Sequence, residues 1–303
     1  MKKFIITLAA LTMTVITLGA VEPKDPAIIT KDYNLKGFTG ICVSGIAEIQ
    51  LVKADNYSVS ATFPGDLEDY LTIKVEHGDL RVSLSNIPRV IQRRLRDTYN
   101  ISIKVSMPSI SKLEMSGATK LYCKDSFNIS DKTFRARLSG ASKLDGLRVD
   151  AKELDMEMSG ASVAYLDGNY EYAKIEMGGA SKCTFEISAS QLRQEISGAA
   201  KAYHNGDFDT IDAEVSGAGL LSIEGSADIL DMEVSGAAKL ESLKCPVNRI
   251  NASVSGASYC EINPQEELRV SASGGSTIRY VDNGKMHLDI REISRGSSVT
   301  RLR

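Results

Sequence analysis

The phrase "MEMSGASVAYLDGNY" (Met156–Tyr170) returns in altered form as "MEVSGAAKLESLKC" (Met232–Cys245). Aligned on the Ser-Gly pair, it recurs at Ser116, Ser139, Ser159, Gly178 (as "MGGAS"), Ser197, Ser216, Ser235, Ser255, Ser273 and Ser294. Successive spacings are 23, 20, 19, 19, 19, 19, 20, 18 and 21 residues. A period near 20 residues marks a solenoid, in which each repeat buries its apolar face only by stacking on its neighbours.

The residues between anchors decide which solenoid. Before Ser-Gly the chain alternates apolar and polar, as in Leu154, Met156, Met158 or Ile211, Ala213, Val215. Period two means strand rather than helix. The alternation resumes after the anchor at Leu121 and Cys123, Leu221 and Ile223, or Cys260 and Ile262. Turn signals follow at Asp145-Gly146, Asp167-Gly168, Asn205-Gly206, Glu224-Gly225 and Asn283-Gly284. Each repeat therefore reads as strand, Ser-Gly-Ala centre, strand, turn. A leucine-rich repeat lacks support, because its Leu and Asn ladder and helical return are missing, and a propeller blade needs about twice this length. The expected fold is all-β: a single-stranded parallel β-helix with coils of about 20 residues, right-handed as parallel crossovers generally are, stacked at about 4.8 Å. The glycine lets neighbouring backbones approach, while Ser and Ala are small enough for tight ladders. The unbroken parity from Met158 through Gly160, Ser162 and Ala164 favours a flat or gently bent centre, whereas the glycine itself favours a kink.

One column of this stack carries charge. Glu157, Glu176, Glu195, Glu214 and Glu233 stand two residues before successive anchors. At a spacing of about 4.8 Å, each adjacent pair costs roughly 1 kcal/mol of repulsion even in water. Lys174 and Arg193 in the neighbouring outward column are candidates to offset it, as are Lys120, Lys143, Lys182, Lys201 and Lys239 beyond the bend. The sharper candidate is a divalent metal such as Ca²⁺ at the most acidic end, held by Glu214, Glu233, Asp212 and Asp231.

Residues 1–20 have the basic start, apolar stretch and small end of a signal peptide cleaved near Ala20. No later segment is long and apolar enough to span a bilayer, so the mature chain is expected to be exported and not membrane-spanning. Residues 21–113 are β-patterned but less regular, with strands expected around Ile41–Val52, Tyr57–Phe63, Leu71–Val75, Leu80–Leu84 and Ile101–Val105. They read as an irregular cap of the same solenoid, whose regular repeats occupy residues 114–303. Within the cap, "NIPRVIQRRLRDTYN" (Asn86–Asn100) has the spacing of a short basic amphipathic helix, which either packs Ile87, Val90, Ile91 and Leu95 on the first coils or offers its arginines to an anionic partner or surface.

Several chemistries find little support. A net charge of −3 points to no nucleic-acid partner. His77, His204 and His287 lie in unrelated contexts without ligand spacing. Nine equivalent serines cannot all be catalytic, and no cofactor motif is present. Cys183 and Cys260 fall on the same repeat position four coils apart, so they read as small buried hydrophobes rather than a disulfide. Aromatics are few, at 6%, although Tyr165, Tyr203, Tyr259 and Tyr280 permit sugar stacking.

"GFTGICVSGIAEIQL" (Gly37–Leu51), "TIKVEHGDLRVSL" (Thr72–Leu84) and "IKVSMPSISKLEMSGATKL" (Ile103–Leu121), followed by reiterated Ser-Gly-Ala-Ser phrases, give the chain a specific resemblance. Over essentially its whole mature length it resembles the family described as "putative auto-transporter adhesin, head GIN domain", exported proteins common in Bacteroidetes. The resemblance implies a β-helical fold and an exported location, in the periplasm or on the cell surface of a Gram-negative bacterium. It transfers no catalytic residues, and the sequence shows no C-terminal barrel pattern that would carry over the auto-transporter part of the name. The expected function is a non-enzymatic cell-envelope binding or adhesion module whose partner is a cell-envelope or host glycan or protein. The competing expectation is a polysaccharide lyase or glycosidase on the same scaffold.

Overall fold

The structure, a computed structural model, describes residues 26–97 and 100–302. The signal peptide read over residues 1–20, and Arg303, lie outside the described residues.

The strands β1 (Ile28–Tyr33), β2 (Gly40–Gly45), β3 (Glu48–Lys53), β4 (Ser58–Pro64), β5 (Leu71–Glu76) and β6 (Asp79–Leu84) are followed by helix α1 (Arg89–Asp97) and β7 (Ser102–Met107). Two short strands, β8 (Lys112–Gly117) and β9 (Lys120–Cys123), open the regular stack. Long strands then follow one per coil: β10 (Ser126–Leu138), β11 (Lys143–Met158), β12 (Val163–Met177), β13 (Lys182–Ile196), β14 (Lys201–Val215), β15 (Leu220–Val234), β16 (Lys239–Val254) and β17 (Tyr259–Ala272). The stack finishes in β18 (Thr277–Val281), β19 (His287–Ile293) and β20 (Ser298–Leu302).

From β8 onward each strand pairs in parallel with the next coil, and the whole is a β-solenoid of about ten turns. Alternation does what the pattern requires: Leu154, Met156 and Met158, and their counterparts Ile211, Ala213 and Val215, are all buried, while the residues between them face outward. The core is one continuous column of such residues from Phe38 to Tyr280. The five cysteines are free and buried, Cys183 and Cys260 among them.

The Ser-Gly centre is a tight corner. Gly140, Gly160, Gly179, Gly198 and Gly217 all sit at φ near +70° (68° to 70°), the left-handed conformation that makes the kink. Each following Ala donates its N–H to the carbonyl of the previous coil's glycine, for example Ala199 to Gly179 at 2.8 Å and Ala218 to Gly198 at 2.7 Å. A Cβ on Gly198 would lie 2.8 Å from the Gly179 carbonyl oxygen. The fourth corner residue points inward, and Ser162, Ser181, Ala200 and Gly219 fill it interchangeably in successive coils, so the column selects for size.

Conversely, Asp145-Gly146, Asp167-Gly168, Asn205-Gly206 and Glu224-Gly225 do not end strands; they bend β11, β12, β14 and β15 from within. Ladder pairing carries the strands through these points, Asn205 for example pairing with Glu186 and with Glu224, while Gly146 and Gly225 take the bend at positive φ. The choice that the sequence left open at the Ser-Gly centre thus falls to the kink, and the turns expected at these four pairs are bends within strands, whereas Asn283-Gly284 does separate β18 from β19.

At the amino-terminal end, β2 and β3 form one coil around Gly45, and β8 and β9 stack on it. On the other side lie β6 and β7, joined by α1 where other coils have the Ser-Gly corner. Antiparallel β5 continues one wall and antiparallel β4 and β1 the other. Leu95 of α1 is buried, and Ile87 and Ile91 pack on the core, while Val90 remains exposed. The basic helix is therefore a plug over the first coils, with Arg94 paired to Asp66 at 3.6 Å.

Candidate functional site

Parallel stacking converts each outward position into a column, and the two columns flanking the Ser-Gly corner carry the charge. On one side Glu157, Glu176, Glu195, Glu214 and Glu233 are direct register partners in β11 to β15. Beside them Ser159, Gly178, Ser197 and Ser216 complete a shallow groove of about 330 Å³. The repulsion expected along this column is offset from within the strands: Arg137 reaches Glu157 at 3.0 Å, Lys174 pairs with Glu176, and Arg193 pairs with Glu195 at 3.0 Å. The lysines beyond the corner take no part. Lys120 pairs with Glu48 and Lys143 with Asp145, both at 2.8 Å, and Lys239 pairs with Glu241.

The structure brings Glu214, Glu233, Asp212 and Asp231 onto one outward face of β14 and β15, with Asp212 opposite Asp231 and Glu214 opposite Glu233. Asp212 lies 3.6 Å from Arg193, and Asp231 accepts a hydrogen bond from Asn251 at 2.6 Å. Glu214 and Glu233 have no basic partner among the described residues. Among the described residues no group of three or more His, Cys, Asp or Glu side chains is arranged to hold a metal ion.

Across the corner, the column Lys120, Lys143, Val163, Lys182, Lys201 runs beside Tyr122 and Asp145 and then, past a one-residue irregularity in β11, Tyr165, Thr184 and Tyr203. Tyrosine thus appears on alternate coils as far as Tyr203, after which the column continues with Ser222 and Glu241. Lys143 Nζ lies 5.9 Å from the Tyr122 ring centroid and Lys182 Nζ 5.4 Å from that of Tyr203. Unlike their column mates, Lys182 and Lys201 have no carboxylate partner among the described residues. Of the tyrosines that sequence reasoning singled out, Tyr165 and Tyr203 stand in this column, Tyr259 lies in the lysine column and Tyr280 is buried. Tyr122 was missed, although it sits six residues after its anchor, as Tyr165 and Tyr203 do.

Sequence reasoning also gave no sign of a polar pair in the core. His204, stacked on Phe185 with centroids 4.6 Å apart, donates Nε2–H to Gln194 Oε1 at 2.9 Å. Its Nδ1 is buried without a protein partner, and burial pulls the imidazole down to about 3. A neutral, sealed histidine neither ligates nor exchanges protons with a substrate, while His77 and His287 stand exposed and far apart in the sequence.

The fold recurs among solved proteins. A protein from Parabacteroides distasonis described as a "putative adhesin" superposes with a TM-score of 0.52 at 17% identity, over 92% of this chain and 98% of that one. Another "putative adhesin", from Parabacteroides merdae, gives 0.48 at 15% identity over 92% and 100%. A P. distasonis "putative lipid binding protein" gives 0.47 at 13% over 91% and 97%. No curated protein matches the sequence. The model of one family matches residues 37–205 and 174–284, so this chain belongs to the family described as "Putative auto-transporter adhesin, head GIN domain".

Proposed function

We propose that the chain is an exported, non-enzymatic binding module of the cell envelope, working in the periplasm or at the surface of a Gram-negative bacterium. The carrying observation is that its polar side chains are organised as columns along the stack, repeated coil after coil. A repeated row of equal, shallow contacts suits an elongated partner, because affinity accumulates along the row. Hydrolysis of a glycosidic bond needs the opposite, one pair of carboxylates set apart from the rest with environments that separate their acidities. Family membership supports the binding reading. Among the described residues no helix is long and apolar enough to cross a membrane. A glycan array run beside a polysaccharide-degradation assay tests the proposal, with binding and no release of reducing ends expected. Turnover of any polysaccharide would replace the module with an enzyme.

A further inference from the structure

We infer that the lysine–tyrosine strip on β9 and β11 to β14 binds an extended, β-linked acidic glycan carrying about one carboxylate per disaccharide. This rests on the binding-module reading and names the class of partner. Tyr122 and Tyr165 are 40% and 39% exposed, and Val163 beside them 41%, a cluster of exposed apolar side chains on the wall of the solenoid. Exposed aromatic surface repeated in register is costly to keep in water and gains by being covered.

The spacing selects what covers it. Tyr165 and Tyr203, both register partners of Thr184, are two coils apart, about 9.6 Å at the inter-strand distance, and Tyr122 stands two coils before Tyr165 across the irregularity at Asp145-Gly146. Successive rings of an extended β-linked glycan are flipped, so equivalent ring faces recur once per disaccharide, at nearly this distance. The axial C–H bonds of such a face meet the electron-rich tyrosine ring. Between the tyrosines the shorter Asp145 and Thr184 leave room for the intervening sugar and can bond its hydroxyls.

Charge selects the substituent. Lys182 and Lys201 lack carboxylate partners and flank Thr184 and Tyr203 on adjacent coils, so a uronate on a sugar at Tyr203 falls between two ammonium groups. On the far side of the tyrosines stand Asp167, held by Arg148 at 2.6 Å, and Glu186, held by Asn205 at 2.8 Å. These acids accept sugar hydroxyls but repel a polymer with a phosphate on every unit, which disfavours nucleic acid.

Hyaluronan octasaccharide, β-linked with one uronate per disaccharide, is the probe, and titration calorimetry of the full chain at low salt reads the affinity. The neutral cello-octaose and a single-stranded oligonucleotide of similar length serve as comparisons. Tyr165→Ala with Tyr203→Ala is expected to weaken hyaluronan about tenfold or more. Lys182→Gln with Lys201→Gln is expected to weaken it about tenfold while leaving cello-octaose unchanged. All four side chains face solvent, and thermal melts of each variant confirm folding. Equal affinity for cello-octaose would overturn the acidic assignment, and equal or tighter oligonucleotide binding the glycan assignment. Failure of the native chain to bind hyaluronan would overturn the inference. If an array glycan then binds equally well to native chain and variants, the module reading survives without this strip; if nothing on the array binds, that reading loses its support as well.

Discussion

At the scale of single residues, two positions show opposite constraints. Gly198 is fixed by backbone: its φ of +68° strains any L side chain, and a Cβ meets the Gly179 carbonyl oxygen at 2.8 Å. Gly198→Val should cost several kcal/mol, against less than about 1 for Lys201→Val three residues on, where a β-branched residue suits an outward strand position. Comparable losses in urea titrations of the two variants would mean that the corner relaxes freely. His204 is fixed by its surroundings. Its folded pKa of about 3 lies below the ordinary value of 6.5, so the unfolded chain binds the extra proton between the two. Stability from the neutral imidazole is therefore full above pH 6.5 and is lost as pH falls towards 3, at about 1.4 kcal/mol per unit and up to about 5 in all. His204→Leu should be less stable at neutral pH, by about 1–3 kcal/mol, because Gln194 Oε1 loses its donor. Its unfolding free energy should also fall less steeply with acid than that of the native chain. Parallel pH profiles would remove the histidine from the account.

At the scale of one coil, what was legible in the sequence was whatever depends on order along the strand. Alternation placed Leu154, Met156 and Met158 inward, and the interval between anchors set the register, so that Glu195 faces Glu214. The corner was harder to read because the four residues Ser159–Ser162 turn the chain and still return Ala164 to the interior, leaving the parity unbroken. Asp167-Gly168 misled in the other direction, since Asp167 pairs with Arg148 and Glu186 on the two neighbouring coils and the strand runs on through the glycine. The Gln194–His204 bond joins opposite walls of the cross-section, which no linear pattern records. The acidic column was legible, and its compensation only partly: Lys174 and Arg193 were identified, but their pairing stops before Glu214 and Glu233. Glu233→Lys should therefore stabilise the chain by about 0.3–1 kcal/mol at low salt through a direct pair with Glu214, a gain that high salt erases. No gain at low salt would show that the two carboxylates are already neutralised. A rise in melting temperature with Ca²⁺, abolished by Glu214→Gln with Glu233→Gln, would identify a cation as the agent.

Across the whole molecule the two ends of the stack are finished differently. At the amino-terminal end the core is closed by buried Leu67 and Leu95 beneath the antiparallel strands and α1. At the other end β19 and β20 are the last paired strands, and the inward columns run out into solvent. Val270 and Ile290 are register partners on adjacent coils, yet the first is 1% exposed and the second 47%. In a solenoid, stability is a sum of coil and interface terms, and a coil with one neighbour holds fewer of them. Amide exchange should therefore be fastest in β18 to β20, slower through β17, and slowest in β12 to β15. Val270→Ser should cost about 2–4 kcal/mol, because it leaves a cavity and a buried hydroxyl, while Ile290→Ser should cost about 1 or less. Equal costs, together with a melting temperature that rises with protein concentration, would show that in solution this end is covered by a second copy, and the exchange gradient would flatten with it.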